Sequence, residues 1–238
     1  MKKYLFILII FTSCIDLEEF GGENYYKTGI KVVYNDADFI ADGKDSLRIA
    51  VIMPREANEE FRTVKFKASQ GVFFENEKSE YVTETAFRSG SDSIEFIAIL
   101  KASTSTENFN LNIQIPELYI TNRLVRPKKS YPEAMEINSN KVKVLNDGVD
   151  FLEISVKLTK DNGKVTQGHN VSFTYNDTIT MDNNLYFKNY SASDSNGVSS
   201  IRFYPYNIEA SSEPRYITVS TETSNGLIEE QYEFVISE

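Results

Sequence analysis

The chain repeats one ten-residue pattern at a spacing that fits a small domain. Residues 42–51 read DGKDSLRIAV and residues 147–156 read DGVDFLEISV, so D-G-x-D-x-L-x-I-x-V occurs twice, about 105 residues apart. Two shorter matches follow in the same order, V-x-F at 64–66 and 171–173 and S-I-x-F at 93–96 and 200–203. Ordered matches at one period indicate a duplicated domain of roughly a hundred residues.

The apolar residues within each copy alternate with polar ones. Leu47, Ile49 and Val51 alternate with Arg48 and Ala50, which predicts a strand with one row on a core and the other toward water. Turn sequences such as Asp-Gly and Asn-Gly separate the strands, whereas residues 54–61 predict only a connection or a short helical turn. We therefore expect an all-β protein with two tandem immunoglobulin-like β-sandwiches after a cleaved lipoprotein signal peptide.

The expected organisation has five segments. A proline at each end limits strand pairing in the charged stretch 127–132, which makes it the best candidate linker. The predicted segments are a signal peptide (1–13), a lipidated tether (14–27), a first sandwich (28–126), a linker (127–131) and a second sandwich (132–238).

The N-terminus has the features of an export signal. Lys2 and Lys3 precede an apolar run over residues 4–11, which is too short to span a bilayer. Phe11-Thr12-Ser13-Cys14 resembles a lipobox, in which the cysteine becomes acylated. Because Cys14 is the only cysteine, we expect it to carry a lipid such as palmitate and no disulfide to form.

The residues after Cys14 are acidic. Asp16, Glu18 and Glu19 resemble the export signals that place lipoproteins on the outside of the outer membrane in the Bacteroidota. The resemblance implies an outer-membrane lipoprotein that faces the cell surface, with the periplasmic face as the alternative.

The second copy resembles the bacterial Ig-like domains of the invasin and intimin kind. The resemblance rests on D-G-V-D at 147–150, on D-N-G-K at 161–164 leading to V-S-F, and on S-D-S-N-G-V at 193–198, and it covers most of residues 140–238. It implies a non-catalytic module outside the cytoplasm that serves as a spacer or in adhesion.

Composition and residue counts narrow the chemistry. A formal charge of −10 argues against a nucleic-acid partner. His169 is the only histidine, so a histidine-based triad or multi-histidine metal site is excluded except around this residue, which we expect to lie exposed in a turn. We expect no enzyme, no cofactor and no metal site. Asp36, Asp38, Asp42 and Asp45 are interpreted as a solvated turn rather than a calcium loop.

Aromatic residues concentrate in two stretches of the second copy, where exposed rings can stack on sugars or anchor a protein. The candidate binding face consists of Tyr186, Phe187, Tyr190, Tyr204 and Tyr206. Three short motifs resemble O-glycosylation sites of exported Bacteroidota proteins, with acceptors Ser46, Ser93 and Thr178. The basic run from Arg123 to Lys129 is interpreted as a solvated linker that pairs with neighbouring acids.

The function expected from these features is a cell-envelope lipoprotein that acts without catalysis as a binding, adhesion or spacer module. It would contact the membrane through the lipid on Cys14, and an unidentified protein or glycan elsewhere. The alternatives are an accessory subunit of an outer-membrane machine for secretion, gliding or polysaccharide uptake, and, third, a hydrolase that uses two carboxylates.

Surface exposure can be tested directly. Protease added to intact cells should cleave the protein, because we expect it to face outward, and immunoblotting with an internal periplasmic marker checks that the envelope stays closed. A chain that remains fully protected while the marker is also protected faces the periplasm instead.

Overall fold

The computed structural model describes residues 29–57, 59–90, 92–175, 189–205 and 208–238. Almost all regular structure in these ranges is β. From residue 30 onward, the only helical segment described is the 3-10 turn Glu59–Phe61, in the stretch expected to hold a connection or a helical turn. None of the described residues belongs to a helix with the length and apolar character needed to span a membrane.

Seventeen strands are described, numbered in chain order. The first nine are β1 (Lys31–Tyr34), β2 (Ser46–Pro54), β3 (Val64–Ala68), β4 (Val72–Phe73), β5 (Glu80–Thr83), β6 (Phe87–Arg88), β7 (Ser93–Lys101), β8 (Phe109–Ile115) and β9 (Tyr119–Val125). The others are β10 (Ala134–Ser139), β11 (Lys143–Leu145), β12 (Leu152–Thr159), β13 (Asn170–Tyr175), β14 (Tyr190–Ala192), β15 (Val198–Phe203), β16 (Ser211–Thr223) and β17 (Gly226–Ser237).

The strands form four sheets, and the sheet order repeats between the two halves of the chain. The first half has the orders β1-β2-β7, extended by β4 and β6 on β7, and β5-β3-β8-β9. The second half has the equivalent orders β10-β12-β15 and β14-β13-β16-β17, with β11 added in parallel to β17. The protein is thus an all-β tandem of two immunoglobulin-like sandwiches, as the sequence repeat predicts.

The apolar residues of the alternating pattern form the core, as the sequence predicts. Leu152, Ile154, Val156 and Leu158 are at most 2% exposed and lie in a cluster of buried side chains from both sheets of the second sandwich. A separate cluster from the two sheets of the first sandwich spans residues 30 to 125. Because each cluster joins two sheets of the same half, each sandwich encloses its own core.

One residue of the predicted water-facing row is buried. Ala50 is 0% exposed, so the prediction that it faces water is wrong. Its strand neighbours are Val33 and Ile97, both apolar and both on the outer side of the sheet. Their larger side chains flank the small methyl group of Ala50 and shield it from solvent.

The two sandwiches meet end to end through a hydrogen-bonded joint. The carbonyl of Asp42 accepts the N–H of Lys164 at 2.8 Å, and the carbonyl of Thr104 accepts the N–H of Gln167 at 2.8 Å. The Thr166 hydroxyl donates to the carbonyl of Ala41 at 3.1 Å. These bonds connect the end of the first sandwich where β2 begins to the end of the second where β13 begins.

The stretch between the sandwiches is part of this joint. Ser130 is 2% exposed; its N–H donates to the Thr166 hydroxyl at 2.7 Å, and its own hydroxyl donates to the carbonyl of Lys164 at 2.8 Å. The neighbouring cations pair with acids as the sequence indicates, Lys128 with Asp38 and Lys129 with Glu222. The backbone of this stretch is therefore fixed by buried hydrogen bonds, although its lysines reach solvent.

The histidine expected in an exposed turn is buried. His169 is 1% exposed, so that prediction is wrong. The joint covers it: its N–H donates to the Ser193 hydroxyl, its Nε2 lies 3.0 Å from the carbonyl of Glu222, and the Tyr131 ring meets it edge-on at 6.0 Å. Because a carbonyl only accepts, Nε2 carries the proton. Burial, reinforced by the Lys129 charge, lowers the pKa of His169.

A glycine is required where the second sandwich contacts Asp42 of the first. A Cβ atom at Gly163 would lie 2.6 Å from Oδ2 of Asp42, and its φ of +86° is in the left-handed region. Any side chain at this position would push the sandwiches apart.

Removing the Thr166 hydroxyl should weaken the joint. Thr166→Val keeps the side-chain shape but leaves the Ser130 N–H and the Ala41 carbonyl without their partner, at a cost of about 2 kcal/mol. Urea unfolding should therefore show a lower midpoint. Thr174→Val, on the exposed outer side of β13, is the control and should change the unfolding free energy much less. An equal loss in both variants would contradict a joint held by this hydroxyl.

Candidate binding tip

The end of the second sandwich that lies farthest from the joint is here called the tip. Strands β13 and β15 run toward it and β12 begins there, so it collects the loop at residues 145–151 and the segment after β15. The described chain begins at the opposite end of the molecule, where Gly29 lies against Pro54. The tip is therefore the part of the second sandwich most distant from the start of the described chain.

The tip loop is shaped by its own aspartates. Oδ1 of Asp147 accepts the backbone N–H of Val149 at 2.9 Å and that of Asp150 at 2.7 Å. Gly148 has a φ of 74°, in the left-handed region that residues with a side chain rarely adopt. The N–H donors of Asp150 and Val149 hold the pKa of Asp147 below its ordinary value. This side chain closes the turn and directs Val149 outward.

A second carboxylate ties the loop to the neighbouring strand region. Asp150 forms an ion pair with Lys141 and accepts the N–H of Leu145 at 2.9 Å. The Lys141 ammonium, and next the Leu145 N–H, lower the pKa of Asp150. At a pH above their ordinary pKa values both carboxylates are ionised and stabilise the folded loop. This stabilisation is lost as the pH falls through their lowered pKa values.

A half-buried aromatic side chain forms the base of the tip. The Arg202 guanidinium lies 4.8 Å from the centre of the Phe151 ring, and the Lys141 ammonium lies 5.9 Å from it. The Tyr204 ring packs against Phe151 at 5.5 Å. Nε of Arg202 is 3.5 Å from a carboxylate oxygen of Glu153, which keeps the guanidinium in place. Phe151 is thus surrounded by ordered polar and aromatic partners.

Three aliphatic side chains project from this base. Val149 is 78% exposed, Val142 is 68% exposed and Leu145 is 42% exposed. Isolated exposed aliphatics are common, and three of them within eight residues make this stretch a candidate for contact with another macromolecule.

The same turn occurs in the first sandwich, where it is covered. Oδ1 of Asp42 accepts the N–H groups of Lys44 and Asp45, as Asp147 does in the tip. Asp42 is only 6% exposed, because the joint buries it, and the Lys44 ammonium donates to the Asn162 side chain of the second sandwich. The D-G-x-D turn is therefore a docking element in the first sandwich and an exposed loop in the second.

The structure separates the two described members of the aromatic face. Tyr190 is 59% exposed on β14, whereas Tyr204 is half-buried just after β15, in the other sheet. Tyr186, Phe187 and Tyr206 lie outside the described residues, so the full face stays a prediction. Sequence reasoning included Tyr204 in a site but missed Phe151 and Arg202. The sequence signal that could have identified this region is the second D-G-x-D motif, which directly precedes Phe151.

The other predicted positions are distributed over the chain. Ser46 is exposed at the start of β2, and Ser93 is half-buried and donates to the carbonyl of Ser89. Thr178 and Cys14 lie outside the described residues. Glycosylation and lipidation at these positions stay predictions.

Two aspartates beside the joint shape the turn to which they belong. No group of three or more His, Cys, Asp or Glu among the described residues is arranged to hold a metal ion. A cleft of about 420 Å³ beside the joint includes Asp42 and Asp45, and both accept backbone N–H groups of their own turn. Oδ1 of Asp42 and both carboxylate oxygens of Asp45 are thus used in shaping that turn.

The fold of this chain is similar to that of solved bacterial surface proteins. No protein-family model and no curated protein sequence matches the chain. InvE, an adhesin of Yersinia pseudotuberculosis, is 16% identical, with a TM-score of 0.55 over 90% of this chain and 61% of its own. Invasin, a bacterial integrin-binding protein, is 12% identical, with a TM-score of 0.50 over 88% of this chain and 39% of its own. The chain thus spans less than two thirds of either protein, and these likenesses show the fold alone.

The two tip carboxylates should respond differently to loss of Lys141. Lys141→Ala should raise the pKa of Asp150, because the ammonium is the main cause of its lowering, while Asp147 should keep a low pKa, since its donors are backbone N–H groups. Carboxyl-carbon NMR titration of the parent chain and of Lys141→Ala measures both pKa values, with Asp147 as the internal control. Parallel shifts of both residues would show that the loop itself has rearranged.

Proposed function

We propose that the protein is a non-catalytic binding module of the bacterial cell envelope, tethered to the membrane by a lipid on Cys14 and binding a protein partner with its tip. The observation that carries the proposal is that the D-G-x-D turn occurs in both sandwiches but is covered in only one of them. The D-G-x-D turn of the first sandwich is covered by a docked β-sandwich, and the equivalent turn of the second sandwich is uncovered.

The residue change at this turn supports a protein partner. The residue after glycine is Lys44 in the first sandwich, where it reaches a polar group across the joint, and Val149 in the second, where it is 78% exposed. A valine gains free energy mainly from contact with another apolar surface, whereas the ammonium of a lysine also needs a polar or acidic partner. The tip therefore suits a partner with an apolar contact surface.

The state of the aromatic ring argues against a sugar as the principal ligand. Sugar recognition by stacking needs an open aromatic face, and Phe151 already contacts Arg202, Lys141 and Tyr204. Val149 and Val142, which project from the described part of the tip, are aliphatic and cannot stack. Of the two partner classes that the sequence leaves open, protein is the one that the tip favours.

The joint supports a role as a spacer. Strand lengths of nine residues in β2 and eight in β12 give two sandwiches placed end to end a combined length of about 60 Å. Because buried hydrogen bonds fix the joint, this length is kept against thermal bending. With the anchor before the first sandwich, the tip would be held away from the membrane surface.

The structural neighbours are consistent with this role. InvE is described as an adhesin and invasin as an integrin-binding protein, and both contain sandwiches of this type. At 16% and 12% identity they support the class of function, and the identity of the ligand is left to experiment.

Site-specific photocrosslinking in living cells tests the proposal. A photoreactive amino acid at Val149 should form a discrete adduct with a protein, since this side chain projects from the tip. The same amino acid at Leu227 is the matched control, because Leu227 is 72% exposed but lies at the joint end of the second sandwich. Adducts equally abundant at both positions, or absent at Val149, would contradict tip binding.

The identity of the adduct distinguishes the two envelope roles. A host or matrix protein crosslinked at Val149 supports adhesion. A subunit of an outer-membrane complex supports the accessory role. In either case Asp147→Ala, which opens the tip turn, should lower the adduct yield at Val149 by about tenfold.

A further inference from the structure

The outer side of one sheet differs from the other three. In the central strands of the other sheets, paired residues on the outer side are polar: Lys67 with Asn112, Ser155 with Ser200, and Ser172 with Ser220. In the sheet of β1, β2 and β7, Ala50 is paired with Ile97 on the outer side. The side of an antiparallel sheet that faces only water usually carries polar residues.

The apolar character extends across this sheet from edge to edge. On β1, Val33 is opposite Ala50, and on the other edge the Phe74 N–H donates to the carbonyl of Ile99 at 2.8 Å. Phe87 on β6 is opposite Glu95. We name as the apolar face the side chains Val33, Ile52, Phe74, Phe87, Ile97 and Ile99, with Ala50 at its centre.

Large parts of this face contact solvent. Val33 is 50% exposed, Phe87 is 51% exposed and Phe74 is 71% exposed, while Ile52, Ile97 and Ile99 are half-buried. Contiguous apolar patches of this kind on soluble domains mark surfaces that bind another macromolecule.

We propose that the apolar face binds the apolar face of a second copy of this chain, forming a two-fold symmetric dimer. The small Ala50 at the centre lets two identical sheets approach to the usual separation of about 10 Å, and Ile97 of each copy then packs beside Ala50 of the other.

The size of the face fits this occupant. Four strand positions and the nine residues of β7 define an area of about 20 by 30 Å, or about 600 Å² on each copy. Two copies would bury about 1,200 Å², which reaches the lower limit of specific protein interfaces.

The charges of the face also favour a second copy. Arg48 and Glu95 lie on this side of the sheet and neutralise each other through a contact of 2.7 Å. Two further cations on this side, Lys31 opposite Ile52 and Lys101 opposite Ser46, lie at opposite ends of the sheet, so the centre of the face carries no unpaired charge. An anionic membrane would instead need a cluster of unpaired cations here.

The dimer has a consequence that rests on the proposed function. Two copies anchored in one membrane require the symmetry axis to run along the sandwiches, which places the two tips at the same end. A partner with two binding sites would then be held by both tips, with higher overall affinity.

Analytical ultracentrifugation tests the dimer without any ligand. The chain from residue 14, with Cys14→Ser so that no lipid is attached, should show a monomer–dimer equilibrium between 1 and about 100 µM, a range typical of small interfaces. Val33→Lys should raise the dimer dissociation constant at least about tenfold, since it places a charge in the interface.

Val82→Lys is the matched control. Val82 is 49% exposed and lies on the outer side of β5, in the other sheet of the same sandwich, so this substitution should leave the dissociation constant unchanged. Melting curves of both variants identify any loss of folding, and Phe74→Asp in an exposed turn provides a second disruption. A monomer at 100 µM, or equal weakening by Val33→Lys and Val82→Lys, overturns the dimer and leaves the tip proposal unaffected.

Discussion

The arrangement of the protein depends on the buried hydrogen bonds of the joint. The Thr166 hydroxyl both accepts from the Ser130 N–H and donates to the Ala41 carbonyl, so that one side chain ties the connecting stretch and both sandwiches together. In a site from which water is excluded, each of these groups would be costly to leave unpaired. The two sandwiches are consequently held in one arrangement, and the tip lies at the end opposite to Gly29.

The chain uses one turn for two purposes. Asp42 and Asp147 close the same backbone loop with the same pair of hydrogen bonds. In the first sandwich the loop contacts the next domain through polar groups, and in the second it presents Val149 to solvent. The two turns thus share their backbone hydrogen bonds and differ at the position after glycine, which is Lys44 in the first copy and Val149 in the second.

The sequence was sufficient for the fold because strand alternation and the repeat are local or periodic signals. It could not predict the burial of His169, whose surroundings come from Glu222 and Tyr131, distant in sequence. The burial of Ala50 was also not predicted, because its apolar neighbours on the adjacent strands are revealed only by the strand pairing. Tyr204, a member of the predicted aromatic face, packs against Phe151 at the tip. Phe151 and Arg202 were missed because they are adjacent only in the folded chain.

The distance between the two sandwiches tests the fixed joint most directly. Spin labels at Lys67→Cys and Ser200→Cys, in a Cys14→Ser background diluted with unlabelled protein, place one exposed probe on each sandwich. Double electron–electron resonance should give a single narrow distance distribution, which Thr166→Val broadens. A distribution that is already broad in the parent chain would mean that the sandwiches move independently, and would contradict the fixed joint.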